Sequence, residues 1–361
     1  MRRGNIDGEP MLRSARTHAR MLVEQPAAKK HGAHVTASSG PAGTAQERLR
    51  LSRYRVGLQA LESLDLPAYL GSTLRGAFGH VFRKVACLAP QGGPCLAPQS
   101  CPYHLVFETA PPPDAVALRN LDDVPRPFVM GPPAAASRAY PAGGELSFEL
   151  TLVGRAQEFF PHFVVALREM RAIGRGRHPV ALRRIEAVEP LTGRTTLVYS
   201  DDDNLVRSHD ESVSLAACAG LPAPEGPVTV RFLTCTRLKH EGAWATRPEF
   251  HVLFRRLLGR LSSLAVFHCG VRLDLDFVGL IEQAKAVKLV EDRTGWKDWA
   301  RYSSRQDRRM VLGGLVGEAV YEGLLEGLWP FLVFGQWTHV GKNATFGLGR
   351  YEVAPSVKED R

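Results

Sequence analysis

Glu249-Phe-His-Val-Leu-Phe-Arg-Arg-Leu-Leu-Gly-Arg-Leu-Ser-Ser-Leu-Ala-Val-Phe-His268 decides how this chain folds. Phe250, Leu253, Leu257, Leu258, Leu261, Leu264 and Ala265 recur every three or four residues, the period of a helix with one buried face. Such a stripe must be buried against another layer. The flanks supply strands: Val228–Leu238 before the helix, Ala286–Val290 and Gly313–Tyr321 after it. A short apolar helix, Leu328–Gly335, and a last strand, Leu348–Val353, complete the half.

The amino-terminal half repeats the order. Leu49–Leu61 alternates as a strand, and Pro67 opens a helix to Ala86 that is apolar at Leu70, Leu74, Ala77, Phe78, Val81 and Val85. Gly76 and Gly79 weaken that helix, which predicts close approach of another backbone there. Tyr103–Thr109 and Leu146–Val153 read as strands, with the Pro-rich stretch containing Pro111–Pro113 and Pro132–Pro133 as a loop between them. Glu158–Ala172 is a second amphipathic helix, and Ala181–Val188 with Thr195–Tyr199 a hairpin. Strand–helix–strand–strand–helix–strand, twice, is an α+β chain of two tandem ferredoxin-like (βαββαβ) domains, the architecture of RNA-recognition modules, whose open sheet face binds RNA. The expected boundaries are 48–222 and 223–361, with Leu221–Pro227 as the linker.

Residues 1–47 lack aliphatic periodicity and any hydrophobic signal core; they read as a disordered basic tail, carrying seven basic and four acidic residues. The full 361 residues hold 46 Lys and Arg against 37 Asp and Glu, a net +9, which points to an anionic partner without naming it. No apolar run approaches the ~20 residues of a membrane span. Six cysteines in this length are too sparse for a disulfide scaffold, and a reducing cytoplasm is the simplest compartment.

The densest functional signal is His339-Val-Gly-Lys-Asn-Ala-Thr-Phe-Gly-Leu-Gly-Arg-Tyr351. Gly341, Gly347 and Gly349 free the backbone for positive φ and close approach, and Lys342 and Arg350 add charge, a combination suited to a phosphate backbone. The order differs from a Walker loop, and a strand follows where that loop would open a helix. Together with Leu70–Gly79 (LGSTLRGAFG), Cys101-Pro-Tyr103, Phe107-Glu108, Pro127-Phe-Val129, Trp296–Gln306 and Gly313–Gly317, in that order over 49–353, the loop resembles the CRISPR precursor-crRNA processing endoribonucleases of the RAMP superfamily.

The resemblance implies a protein that binds CRISPR repeat RNA and cuts it without a metal cofactor. The ribose 2′-hydroxyl attacks the adjacent phosphodiester, leaving a 2′,3′-cyclic phosphate and a 5′-hydroxyl. Partners implied are the repeat RNA and CRISPR effector subunits; a monomer or a homodimer fits, and no membrane is involved. The same fold and loop also suit a second class, a non-catalytic RNA-binding subunit of an effector complex.

The reaction needs a base, for which imidazole is matched near neutrality, and cations for the crowded phosphorane. His339, beside the glycine loop, and His80, near Arg83 and Lys84 on the first helix, are the candidate catalytic histidines; Lys342 is the candidate phosphorane stabiliser. Arg301, Tyr302 and Arg305 are candidate base-stacking and phosphate contacts, with Trp296 and Trp299 expected in the core. Arg175 and Arg177, within a patch that includes Arg168, Arg171, Arg183 and Arg184, are candidate backbone contacts. Cys87, Cys95 and Cys101, at C-x7-C-x5-C with His104 following, are candidate ligands of a structural zinc.

Overall fold

The structure, a computed structural model, describes residues 43–356 other than 68, 88, 90–92, 94, 96, 110–123, 134–138, 299 and 304–307. The expected amino-terminal tail therefore lies almost wholly outside the described residues. Its last residues do not fit that expectation: Ala45–Arg48 form a helical turn in a capping box with Thr44 and Glu47.

The first unit runs β1 (Arg50–Ala60), α1 (Gly71–Ala86), α2 (Pro102–Phe107), β2 (Phe128–Gly131), β3 (Glu145–Val153), α3 (Phe160–Glu169), β4 (His178–Val188) and β5 (Thr195–Ser200). Its antiparallel sheet has the order β2-β3-β1-β4, with β5 paired outside β4. The second unit runs β6 (Val228–Thr236), α4 (Phe250–Cys269), α5 (Phe277–Ala286), β7 (Lys288–Lys297), β8 (Gly314–Glu322), α6 (Trp329–Thr338) and β9 (Tyr351–Pro355). Its sheet order, β7-β8-β6-β9, is the same permutation. In each unit the first strand is central, and the two long helices cover one face. The fold is thus two tandem ferredoxin-like units.

One predicted strand is a helix. Pro102–Phe107 is helical, with Pro102 in its first turn, and its side chains pack on α1: the Phe107 ring centroid lies 5.3 Å from Phe82 and 6.0 Å from Phe78. Tyr103, Leu105 and Phe107 alternate, but Tyr103, Val106 and Phe107 also follow helical spacing, and six residues cannot separate the two periods. The second strand of the unit is instead Phe128–Gly131, all four residues buried, within the stretch read as a loop. Helix α5 was not anticipated.

The glycines of α1 correct a second expectation. A Cβ on Gly76 would meet nothing within 4 Å, and one on Gly79 would meet side chains and no backbone, the Phe107 ring at 3.0 Å and Arg75 Nη1 at 3.2 Å. The close backbone approach falls on Gly71, where a Cβ would overlap the Phe346 carbonyl oxygen of the second unit. Gly76→Ala therefore raises stability by about 1 kcal/mol, the intrinsic preference of an exposed helix position, readable as a shift in the urea midpoint at constant slope.

The two hydrophobic cores run into each other. Leu51 of β1 and Val153 of β3 share one buried cluster with Phe250, Leu253, Leu257 and Leu261 of α4. The free face of the first sheet is tiled with cross-strand ion pairs: Arg53–Glu149 at 3.2 Å, Arg55–Glu186 at 3.7 Å and Arg184–Glu145 at 2.9 Å. Carboxylates within such a ladder disfavour RNA phosphate, so this face is not the stacking platform the fold class suggested. No helix among the described residues is long and apolar enough to cross a membrane.

Candidate nucleic-acid interface

The glycine loop joins α6 to β9 and is wedged between the units. Gly347 and Gly349 are buried, at φ +83° and +69°. A Cβ on Gly347 would lie 2.7 Å from Met130 O in β2, and one on Gly349 would overlap Val340 O. Tyr69 donates its hydroxyl hydrogen to Phe346 O, and the Arg75 guanidinium lies 4.8 Å from the Phe107 ring centroid and 5.5 Å from that of Phe346. These glycines permit packing between units; they are not an open nest of N–H groups for phosphate. Arg350 is likewise drawn inward, with its guanidinium 3.5 Å from Glu149, the carboxylate that also pairs with Arg53. Lys342 is the fully exposed residue of the loop, and Gly341, at φ +83°, lies against the main chain of Arg237.

His339 is not placed for catalysis. It is 4% exposed, ends α6 at φ +60°, and its Nδ1 lies 3.1 Å from Leu348 O. A carbonyl can only accept, so the proton sits on Nδ1. Burial, with Arg350 next, pushes its pKa down to about 3, so the ring is held neutral. The residue locks the loop onto its helix.

His80 is exposed on the outer face of α1. Thr73, Gly76 and Lys84 share that face by helical spacing, with Arg83 one turn away and exposed. Thr73 adjoins the turn between Ala172–Ile173 and β4, since a Cβ on Gly174 would lie 3.7 Å from its methyl. Arg175 and Arg177 are exposed on that turn. A basic stripe thus runs from Arg175 and Arg177 along α1 past His80 to Lys84. The rest of the arginine patch is otherwise engaged: Arg183 pairs with Asp201, Arg184 with Glu145, and Arg168 and Arg171 lie 3.8 and 3.9 Å from Glu169. Nine residues of helix, about 13 Å, separate His80 from Gly71, where α1 meets the loop. The structure therefore does not gather His80, His339 and Lys342 around one phosphate.

Sequence reasoning placed Trp296 in the core, yet it is 42% exposed, with Nε1 donating to Asp298 at 2.8 Å. Strand Ala300–Ser303, which carries Arg301 and Tyr302, pairs with Arg308–Val311; Trp299 and Arg305 lie outside the described residues. The cysteine expectation fails on geometry. Cys101 Sγ reaches Ala86 O at 3.8 Å, His104 Nδ1 lies 3.9 Å from Glu108, and Cys87, Cys95, Cys101 and His104 do not converge. The residues do not fit a zinc ion.

Comparison with known proteins agrees with this architecture. A family model described as an N-terminal domain matches residues 49–211, and the model of the CRISPR-associated endoribonuclease Cas6 matches 230–351. An uncharacterized protein of Archaeoglobus fulgidus is 29% identical over 128 residues, 35% of this chain and 42% of that relative, so the match spans less than half of the relative's length. A Cas6 product complex superposes with a TM-score of 0.54 at 17% identity, over 84% of this chain and 99% of that one. A Thermus thermophilus Cas6 gives 0.50 at 16%, over 87% and 100%. A chain of a partial Cas6-RT-Cas1–Cas2 complex gives 0.52 at 15%, over 86% and 47%. At these identities the superpositions speak for the fold. The domain at 230–351, which holds the glycine loop and the sheet that seats it, is the part of the chain that matches the CRISPR-associated endoribonuclease Cas6 family.

Proposed function

We propose that this chain is a metal-independent endoribonuclease that cuts CRISPR repeat RNA, with His80 as the proton-transfer group. The observation that carries the reading is the exposed His80 imidazole in a basic stripe on α1. In the reaction His80 takes the proton of a ribose 2′-hydroxyl. The 2′-oxygen then bonds to phosphorus, the bond from phosphorus to the 5′-oxygen breaks, that oxygen takes a proton from solvent water, and His80 returns its own proton to solvent. The products are a 2′,3′-cyclic phosphate and a 5′-hydroxyl. Arg83 and Lys84, one turn from His80, are the cations nearest the crowded phosphorane. Lys342 and the Arg175–Arg177 turn hold the strand further along. Partners on this reading are the repeat RNA and CRISPR effector subunits, and the compartment is the cytoplasm.

The test is cleavage of the host's repeat RNA in the presence of a chelator, with end-group mapping. The parent chain cuts at one site. His80→Ala loses about 10²- to 10⁴-fold in single-turnover rate, while its RNA affinity changes only a few-fold. Intact RNA with the parent chain would favour the non-catalytic binding subunit, and an unimpaired His80→Ala would remove that residue from the chemistry.

A further inference from the structure

Trp244 and Trp296 are 40% and 42% exposed, although large aromatic rings are highly buried on average. They come from different elements. Trp244 ends the hairpin Lys239–His240/Ala243–Trp244, and Trp296 stands near the end of β7, opposite Leu315. Arg237 links them. Its guanidinium carbon lies 4.9 Å from the Trp244 ring centroid, and its Nε donates to Gly313 O at 2.8 Å. A Cβ on Gly313 would sit 2.7 Å from Trp296 Nε1, so that indole abuts the residue that Arg237 holds. The glycine loop starts at the same place, where Lys342 donates its backbone N–H to Arg237 O at 3.3 Å.

Two exposed indoles therefore flank one arginine at the solvent-facing end of the loop, with the exposed Lys239, Lys297 and Lys342 around them. The polar edge of Trp296 is already satisfied by Asp298, which leaves its ring as the feature to be recognised. Exposed rings amid cations suit unpaired nucleotides: bases stack on the rings, and phosphates meet the ammonium and guanidinium groups. Glu241, at the hairpin tip, and Asp298 are the nearby exposed acids.

We propose that Trp244 and Trp296, set by Arg237, form a stacking clamp for unpaired bases of the bound RNA. The inference rests on the RNA-processing reading and adds where the single-stranded part of the substrate lies. Each base–ring stack is worth about 1–3 kcal/mol, a factor of roughly 5 to 150 in affinity. Two fluorescently labelled RNAs are titrated: a repeat with its unpaired flanks, and the same RNA trimmed to paired nucleotides. Trp244→Ala and Trp296→Ala each weaken binding of the flanked RNA at least fivefold and leave the trimmed RNA unchanged. Trp244→Phe and Trp296→Phe, which keep a ring, retain most of the affinity, and this separates stacking from misfolding. If both alanine variants bind the flanked RNA like the parent, the clamp is overturned and the rings are a protein-docking surface. If the parent binds and cuts no repeat RNA at all, the functional reading itself has failed.

Discussion

Gly349→Ala lowers stability by about 2–5 kcal/mol, among the largest effects a single methyl group can have here. Two costs add. The residue sits at φ +69°, where an L side chain costs roughly 1–2 kcal/mol. The added carbon also overlaps the carbonyl oxygen of Val340, a buried residue whose own N–H bonds back to Gly349 O at 2.9 Å. Relief requires the loop to shift, and overpacking of this kind costs typically 1–3 kcal/mol. Gly193→Ala is the internal control. Its φ is +74°, but a Cβ there meets nothing within 4 Å, so it pays the backbone term alone. The difference between the two variants in denaturant midpoint, at equal slope, measures the packing term. Equal losses would mean that the loop is not clamped as described. Because Gly347 and Phe346 of the same loop touch β2 and α1, Gly349→Ala also loosens the contact between units.

What the sequence disclosed and what it hid follow one division. Periodicity exposed the elements whose partners are layers: α4, β1 and β3 were legible because a buried face imposes a period whatever covers it. Contacts between residues far apart in the chain imposed no such signal. Gly71 reads as an ordinary helix residue until Phe346 arrives from 275 positions away. His339 reads as a catalytic neighbour of a phosphate loop until the loop folds back over it. Arg350 reads as a free cation until Glu149 of the other unit meets it. Trp296 reads as core because its type is hydrophobic; its exposure depends on how β7 ends at the sheet edge. The exposed position of His80 on its helix is readable from local spacing alone, because a helix face is set by the helix itself.

Acidification from pH 7 to pH 5 removes about 4 kcal/mol of stability through two histidines, His268 and His339, both 4% exposed. The Nε2 of His268 donates to Pro125 O at 2.7 Å, tying α4 to the segment before β2. Burial, then the nearby Arg260, Arg126 and Arg155, lowers its pKa to about 4, although the bond to Pro125 opposes the shift; His339 is lowered to about 3. Above pH 6.5 both rings are neutral in the folded and the unfolded chain, so neither makes stability depend on pH. Below 6.5 the unfolded chain takes up protons that the folded chain excludes, so stability falls as pH falls, until the folded pKa values are reached. At pH 5, about 1.5 units below the reference pKa, each histidine has cost about 2 kcal/mol. Glu189 and Glu211, whose pKa values are lowered mainly by Thr192 and Thr196 against a counteracting burial, titrate below this window. Urea unfolding at the two pH values gives the parent's loss. His339→Asn and His268→Gln put an amide nitrogen near the bonding ring nitrogen without a titrating group, and each reduces that loss by about 2 kcal/mol. If neither variant changes the pH dependence, His268 and His339 are not held neutral, and the acid sensitivity lies in other groups, His162 and His209 among them, whose pKa values burial also lowers.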